Sequence, residues 1–303
     1  MALLSDRFDL LVDAHFDGKT ELTIWREIRI RKDKGTKAKL SVLIYYECVA
    51  FPFPDRPLPN KIRFKDLQIS FIDHSVLTFI RSNKQIWDRN GTKFELDVSL
   101  YATDKHKPIW DVFVPEIWPI FATSIRHLRF AYGNGLEKLR RRTSPTILTD
   151  LDQLNSIDSG LLLPDGIADD GPNVTAGQAL AKWLHTPSKN GQPKRLYRND
   201  FLVPLNLEWI NNFKETFLRA TTSVAYNVRL KLLVASGMNI VEQFELMNEV
   251  TQEKLTLTKD DNIYCLLKRC PIVGETATIQ QDVQCFSRIL AGPGFLLKPD
   301  FSP

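Results

Sequence analysis

From residue 61 to about 233 the chain alternates short strand-like runs with longer helical ones, and successive strand runs begin roughly thirty residues apart. The strand candidates are "DLQISF" (66–71), "KFELDVSL" (93–100), "SIRHLRFAY" (124–132), "QLNSID" (153–158), "KRLYRNDF" (194–201) and "SVAYNVRLKLL" (223–233). Between them, "DHSVLTFIRSNKQIW", "WDVFVPEIWPIF", "GLEKLRRR", "AGQALAKWLHT" and "EWINNFKETFLRA" read as helices. In the first of these, Val76, Phe79, Ile80 and Ile86 are spaced for one face, and Asp73 is placed to cap the N-terminus. One gap is longer and holds the Pro/Gly/Asp-rich loop "LLLPDGIADDGPNV". A unit of this length lies near the upper end of the leucine-rich-repeat range of about 20–29 residues. "FKDLQI" and "IRHLRF" also share an apolar-x-x-Leu-x-apolar pattern. The chain is therefore predicted to be α/β, either an irregular leucine-rich-repeat-like solenoid of strand–helix repeats or an open α/β sheet.

The flanks have different characters. "LSDRFDLLVDAHF" reads as an amphipathic helix whose apolar stripe is Leu4, Phe8 and Leu11. "TELTIWREIRIR" and "KLSVLIYYECVAF" read as half-buried strands around a charged turn. Four prolines in residues 51–60 exclude a regular element there and suggest a connector. After residue 234, Phe244 and Leu246, Leu255 and Leu257, then Tyr264 and Leu266 fall two apart, as the strands of a one-sided antiparallel β-meander require. The expected organisation is a helix at 1–17, a strand region and connector at 18–60, the repeat region at 61–233, a closing meander at 234–272 and a weakly patterned tail at 273–303.

Composition narrows the function classes. Hydrophobic residues make up 43% and charged residues 25%, values of a globular domain rather than a disordered one. The net charge of +4 is too small to call for a nucleic-acid partner. No apolar stretch reaches the length of a membrane span, and charges within the first helix do not suit a secretory leader. The four cysteines lack framework spacing and read as reduced thiols of a cytoplasmic or nuclear protein.

No motif carries catalysis or a cofactor. "GNGLEK" lacks the third glycine of a dinucleotide fingerprint, with Lys138 in its place, so Gly133 and Gly135 read as turn residues. Cys265 and Cys270 lack the second close pair that zinc sites carry. The five histidines show no partner pattern, and His185 reads as a positive group near a helix C-terminus. Asp169 and Asp170 read as solvated loop residues. Two basic clusters, seven Lys or Arg within residues 26–39 and four within 138–142, give the alternative of an RNA-associated protein. Acidic residues interrupt the first cluster, and charged strand edges are a common guard against aggregation.

Taken together, "ALLSDRFDLLVDAHF", "LPNKIRFKDLQISFIDHSVLTFI", "ALAKWLHTPSKNGQPKRL", "FELMNEVTQEKL" and "LLKRCPI" resemble a large, expanded set of nematode F-box proteins, over residues 2–272. The resemblance implies that residues 1–17 are the last helix of an F-box, with Leu4, Phe8 and Leu11 packing on earlier F-box helices that in the family come before the position of Met1. The remainder would be the substrate-receptor part of a Skp–cullin-type ubiquitin-ligase subunit, a non-enzymatic protein–protein interaction module without a cofactor. Its partners would be a protein substrate and, where the preceding F-box helices are supplied, a Skp-type adaptor. The tail from residue 273 departs from the family pattern. Solenoids bind along the exposed face of their strands. The polar positions Gln68, Ser70, Glu95, Asp97, Arg126 and Arg129 are thus expected to line a partner-binding face, with Leu67, Ile69, Leu96 and Val98 pointing inward.

Overall fold

The computed structural model describes residues 24–32, 38–44, 47–51, 53, 57–58, 63–69, 71–87, 95–97, 107–130, 135–198, 207–231, 242–260 and 264–272. Residues with strong period-two patterning form β1 (Ile24–Lys32), β2 (Ala38–Ile44), β3 (Glu47–Phe51) and β4 (Arg63–Ile69). The shorter β5 (Glu95–Asp97), β6 (His127–Arg129) and β7 (Ser156–Asp158) follow. Then come β8 (Lys194–Arg198), β9 (Tyr226–Lys231), β10 (Phe244–Asn248), β11 (Glu253–Lys259) and β12 (Tyr264–Pro271). Five of the six runs read as strands between 66 and 233 contain one, and the run at 66–71 holds the end of β4, which begins earlier at Arg63.

These strands make one open mixed sheet in the order β10-β11-β12-β9-β8-β7-β6-β5-β4-β1-β2-β3. From β1 through β4 to β9 every pairing is parallel, and within β4–β9 each strand lies beside the one before it in the chain. Antiparallel strands extend both flanks, β2 and β3 beyond β1 and the β12-β11-β10 meander beyond β9. The stretches at 18–60 and 234–272, which composition sets apart, thus contribute to the same sheet as the repeat region. "KLSVLIYYECVAF" divides into two strands, with Ile44 opposite Glu47. Tyr45-Tyr46 carries none of the Gly, Asn or Asp that usually announces a hairpin.

One row of side chains explains the core. Ile28, Leu67, Leu128, Ile157, Leu196, Val228, Leu267 and Leu257 are buried and occupy successive register positions, with Leu96 between Leu67 and Leu128 in the ladder. Right-handed crossovers that advance always in one direction put their helices on one face of the sheet. Helix side chains such as Val76, Phe79, Leu139, Leu180, Trp183 and Phe217 belong to the same cluster as this row. Burying each large one contributes about 1.5–3 kcal/mol.

The helices are α1 (His74–Ser82), α2 (Lys84–Trp87), α3 (Lys107–Val112), a π-helical turn at Phe113–Ile117, α4 (Trp118–Phe121), α5 (Gly135–Arg142), α6 (Ile147–Asp150), α7 (Ala176–His185) and α8 (Leu207–Leu218). The single helix expected over 73–87 breaks at Asn83. Its buried amide donates to Phe79 O at 2.7 Å and accepts from Leu58 N–H at 2.7 Å, which fastens the proline-rich segment to the helix end. The π-turn surrounds Pro115, whose missing N–H cannot join an α-helical ladder. Gly135 lies where a Cβ would stand 3.0 Å from Phe130 Cδ1, so this glycine serves close packing of α5 on the sheet.

Asp73 caps α1, accepting from Val76 N–H at 3.0 Å, and its other oxygen accepts from Ala38 N–H at 2.8 Å. One carboxylate thus joins the helix N-terminus to the first residue of β2. Asp73→Ala is expected to lower stability by about 1–2 kcal/mol, the upper part of the usual range for a lost cap, because two N–H groups lose their acceptor. Asp73→Asn keeps one acceptor oxygen and sets an N–H donor in place of the other, so it should preserve at most one of the two bonds and fall between the natural chain and Asp73→Ala. Urea unfolding of both variants checks this, and an Asn variant as stable as the natural chain would contradict the double role of the carboxylate.

The phase expected for the last strand of the meander is overturned. Cys265, Leu267 and Arg269 are buried, whereas Tyr264 and Leu266 are only half-buried. The segment offers apolar residues at both parities, and pairing of Leu267 with Leu257 and Val228 selects the other one.

Candidate interaction face and cleft

The positions that alternate with the buried row form two polar rows along the parallel strands. One runs His127, Ser156, Arg195, Asn227, and the other Arg129, Asp158, Tyr197, Arg229. His127 Nδ1 and Ser156 Oγ are hydrogen-bonded at 2.8 Å, and Arg129 Nε donates to Asp158 Oδ2 at 3.2 Å. Arg229 pairs with Asp260 at 3.0 Å and lies 4.0 Å over the Tyr264 ring. Exposure falls along the row: the Arg129 side chain is 39% exposed, Asp158 9% and Arg229 9%. The more accessible part of this row therefore lies at β6, while Asp158 is engaged by Arg129 and Arg229 by Asp260 and the Tyr264 ring.

The sequence candidates are distributed unevenly over this face. Gln68 is half-buried between buried Leu67 and Ile69, and it stands opposite Arg29 in the register. Register sets Glu95 beside His127 and Asp97 beside Arg129. Arg126 precedes β6, its carbonyl accepting from Asn155 and Ser156 N–H, and it is out of phase with His127 and Arg129. An odd separation cannot keep Arg126 and Arg129 on one face of a strand, so Arg126 is removed from the row and His127 takes its place. Ser70, Val98, the stripe of Leu4, Phe8 and Leu11, and Gly133 lie outside the described residues. His127, Ser156 and Asp158 were missed although the alternation in "IRHLRF" and "NSID" could have marked them.

The basic cluster at 138–142 is occupied structurally. Buried Arg140 donates to Pro145 O at 3.0 Å, Val174 O at 2.9 Å and Gly171 O at 2.9 Å. Arg141 pairs with Glu137 at 2.7 Å, and Arg142 pairs with Asp111. Among the described residues no group of three or more His, Cys, Asp or Glu is placed to hold a metal ion, and no helix is long and apolar enough to cross a membrane.

On the helix side of the sheet, a cleft of about 850 Å³ opens between α7, α8 and the loop at 165–168. Gln178 and His185, seven apart on α7, lie on one face of that helix, and Asn212, Glu215 and Thr216 of α8, with Arg219 just after it, form another wall. The opposite face of α8 buries Trp209, Ile210, Phe213 and Phe217. The loop is fastened in place. Asp165 N–H donates to Gly177 O at 3.0 Å, Trp209 Nε1 donates to Pro164 O at 2.8 Å, and Thr175 Oγ1 donates to the Asp165 carboxylate. A Cβ on Gly177 would meet that carboxylate at 2.6 Å, so a larger residue there would have to displace the Asp165 side chain. A reciprocal capping box between Thr175 and Gln178 fixes the start of α7.

Two buried charges close the inner end. Arg269 donates to Glu253 Oε2 from Nε at 3.0 Å and from Nη2 at 2.6 Å, and to Thr222 O at 2.8 Å. Glu253 Oε1 accepts from Ser223 Oγ and Val224 N–H, both at 2.8 Å. Nearby, His185 lies against the rings of Phe213 and Tyr226. Burial, then the charges of Arg269 and Lys194, push the His185 pKa down to about 4. It is thus neutral at pH 7 and cannot be the positive group at the helix C-terminus that its position suggested. Lys194 takes that role, donating to Trp183 O and to Thr186 O at 2.6 Å. Burial pushes its pKa down to about 8.

None of the family models, curated proteins or solved structures compared with the chain matches it.

Proposed function

We propose that the chain is a non-enzymatic protein–protein interaction module, the substrate-receptor part of an F-box-type subunit of a Skp–cullin ubiquitin ligase. The observation that carries this reading is the strand order from β4 to β9. Each strand is laid beside its predecessor with helical segments between them, the arrangement by which leucine-rich-repeat-like solenoids build a long continuous surface. By register, Glu95 and Asp97 stand beside His127 and Arg129, with Gln68 next to them, a row of positions that would bring residues of both charges to a partner. The resemblance of "LSDRFDLLVDAHF" and "KWLHTPSKNGQPK" to the F-box set supports the assignment to a ligase.

Titration against a purified Skp-type adaptor tests the ligase half. A fusion that supplies the three-helix F-box ahead of residue 1 is expected to bind, and failure of both the fusion and the chain alone would overturn the reading. The face is tested separately. Charge reversal at Glu95 and Asp97 together should abolish recovery of partner proteins with the fusion, while adaptor binding and melting temperature stay unchanged. Unchanged recovery would remove this face from the reading.

A further inference from the structure

At one side the sheet ends on β10, and the direction of that strand's backbone groups follows from the hairpin beside it. Ile272 N–H donates to Gln252 O and Asp260 N–H donates to Tyr264 O, both at 3.0 Å, one step beyond either end of the β11–β12 register. Residues of even number in β11 therefore bond toward β12. Neighbouring residues of a strand turn their N–H and C=O to opposite sides, so Glu253, Leu255 and Leu257 bond toward β10. Their partners there are Asn248, Leu246 and Phe244. The N–H and C=O groups of Glu245 and Met247 thus point away from the sheet, and no strand pairs with them among the described residues.

This edge lacks the usual guards against strand addition. β10 holds no proline and no lysine, its register with β11 is unbroken by a bulge, and Glu245 is its single charge. Met247 is 49% exposed, and Val250, just past the strand, 73%. Leu218 at the end of α8 is 52% exposed, and the carbonyl of its neighbour Phe217 accepts from Asn248 Nδ2 at 2.6 Å. Exposed apolar side chains and outward-pointing backbone groups therefore stand together here.

We propose that β10 pairs antiparallel with β10 of a second copy of this chain, about a two-fold axis through Leu246, so that one sheet runs through both copies. The strand's self-complementarity selects this occupant. In that register Glu245 stands opposite the partner's Met247 and Met247 opposite the partner's Glu245, so the outward N–H and C=O groups of both strands are all paired. Leu246 meets the partner's Leu246, and no like charges are opposed. An axis through Glu245 would set that carboxylate against its own copy. An axis through Met247 would set Glu245 against the partner's Glu249, again carboxylate on carboxylate. The contact is short, five residues from each copy, so the dimer belongs to the weak, reversible class. It does not depend on the F-box reading.

Sedimentation equilibrium of the full chain over about 1–500 µM tests this, a monomer–dimer equilibrium being expected within that range. Met247→Glu sets a second carboxylate opposite Glu245 on both halves of the contact and should weaken dimerisation at least about tenfold. Met247→Lys sets an ammonium group there instead and should leave the dimer as tight or tighter. Met247→Pro removes the outward N–H without touching a β10–β11 hydrogen bond, so it should weaken the dimer as well. The Met247 side chain is half exposed, so the two charged variants should keep the melting temperature of the natural chain. A chain that stays monomeric throughout the range, a Glu variant that dimerises as the natural chain does, or equal weakening by both charged substitutions would each overturn the proposal. Growth into open-ended assemblies would do so too, since pairing of β10 on β3 of a further copy does not close.

Discussion

Arg269→Met is expected to lower the stability of the fold by about 3–5 kcal/mol, far more than the ion pair contributes in total. The two statements are compatible because the pair and its rupture differ in sign. Removing Arg269 and Glu253 from water costs several kcal/mol per ion, and their mutual attraction does little more than offset it. Once both are buried, with side chains 2% and 0% exposed, removing the guanidinium leaves a carboxylate with only Ser223 and Val224 as donors and no countercharge. The Thr222 carbonyl loses its donor as well. The double variant Arg269→Met with Glu253→Gln should recover most of the loss, since a neutral amide needs no countercharge. A double-mutant cycle by urea unfolding measures the coupling, and a loss below about 1 kcal/mol for Arg269→Met would contradict the assignment. The location of the damage is also specified. The pair joins β11 and β12 to the segment after α8, so amide exchange should rise first in β10–β12 while β6–β8 stay protected.

That pair illustrates what the sequence could and could not disclose. The strands between 66 and 233 were legible because each carries at least one apolar residue flanked by polar ones, and the turns between them are rich in Gly, Pro and Asp. The meander was legible for the same reason. Its last strand was not placed in phase, because Tyr264, Cys265, Leu266 and Leu267 satisfy either parity and only pairing decides between them. Glu253 and Arg269 are sixteen residues apart, and they meet only because Leu255 pairs with Arg269 and Glu253 with Pro271, which makes them diagonal neighbours. Nothing local announces such a contact. The polar rows could be read in outline, since alternation determines which residues share a face. Arg126 was misplaced because one residue of slip at a three-residue strand reverses the assignment. The cleft was invisible: its walls come from α7, α8, a loop and β12, and no spacing in the chain brings them together.

His185 gives the second large effect, as a dependence of stability on acid. In the unfolded chain a histidine titrates near 6.5, whereas in the fold its pKa is pushed down to about 4, by burial first and by Arg269 and Lys194 after that. Between these values the unfolded state binds more protons than the folded one, so stability rises with pH across that window. The contribution is complete above about pH 6.5, is lost progressively as pH falls toward 4, and changes no further below it. A separation of that size corresponds to up to about 3 kcal/mol. The surroundings offer the imidazolium little compensation. Arg269 and Lys194 are cationic, Phe213 does not titrate, the Tyr226 hydroxyl is held neutral by a pKa raised through burial, and Glu253 is bound to Arg269. Glu215 at the cleft wall is paired with Arg219. His185→Phe keeps an aromatic ring against Phe213 and Tyr226 and removes the titrating group. Carboxylates that are paired in the fold also weaken it in acid, so the informative quantity is the difference between the two proteins. Unfolding free energies at pH 7, 6, 5 and 4 should show the natural chain losing up to about 3 kcal/mol more than the variant over that range. Parallel curves would mean that His185 finds water or a counter-anion in the cleft and titrates much as it does in the unfolded chain.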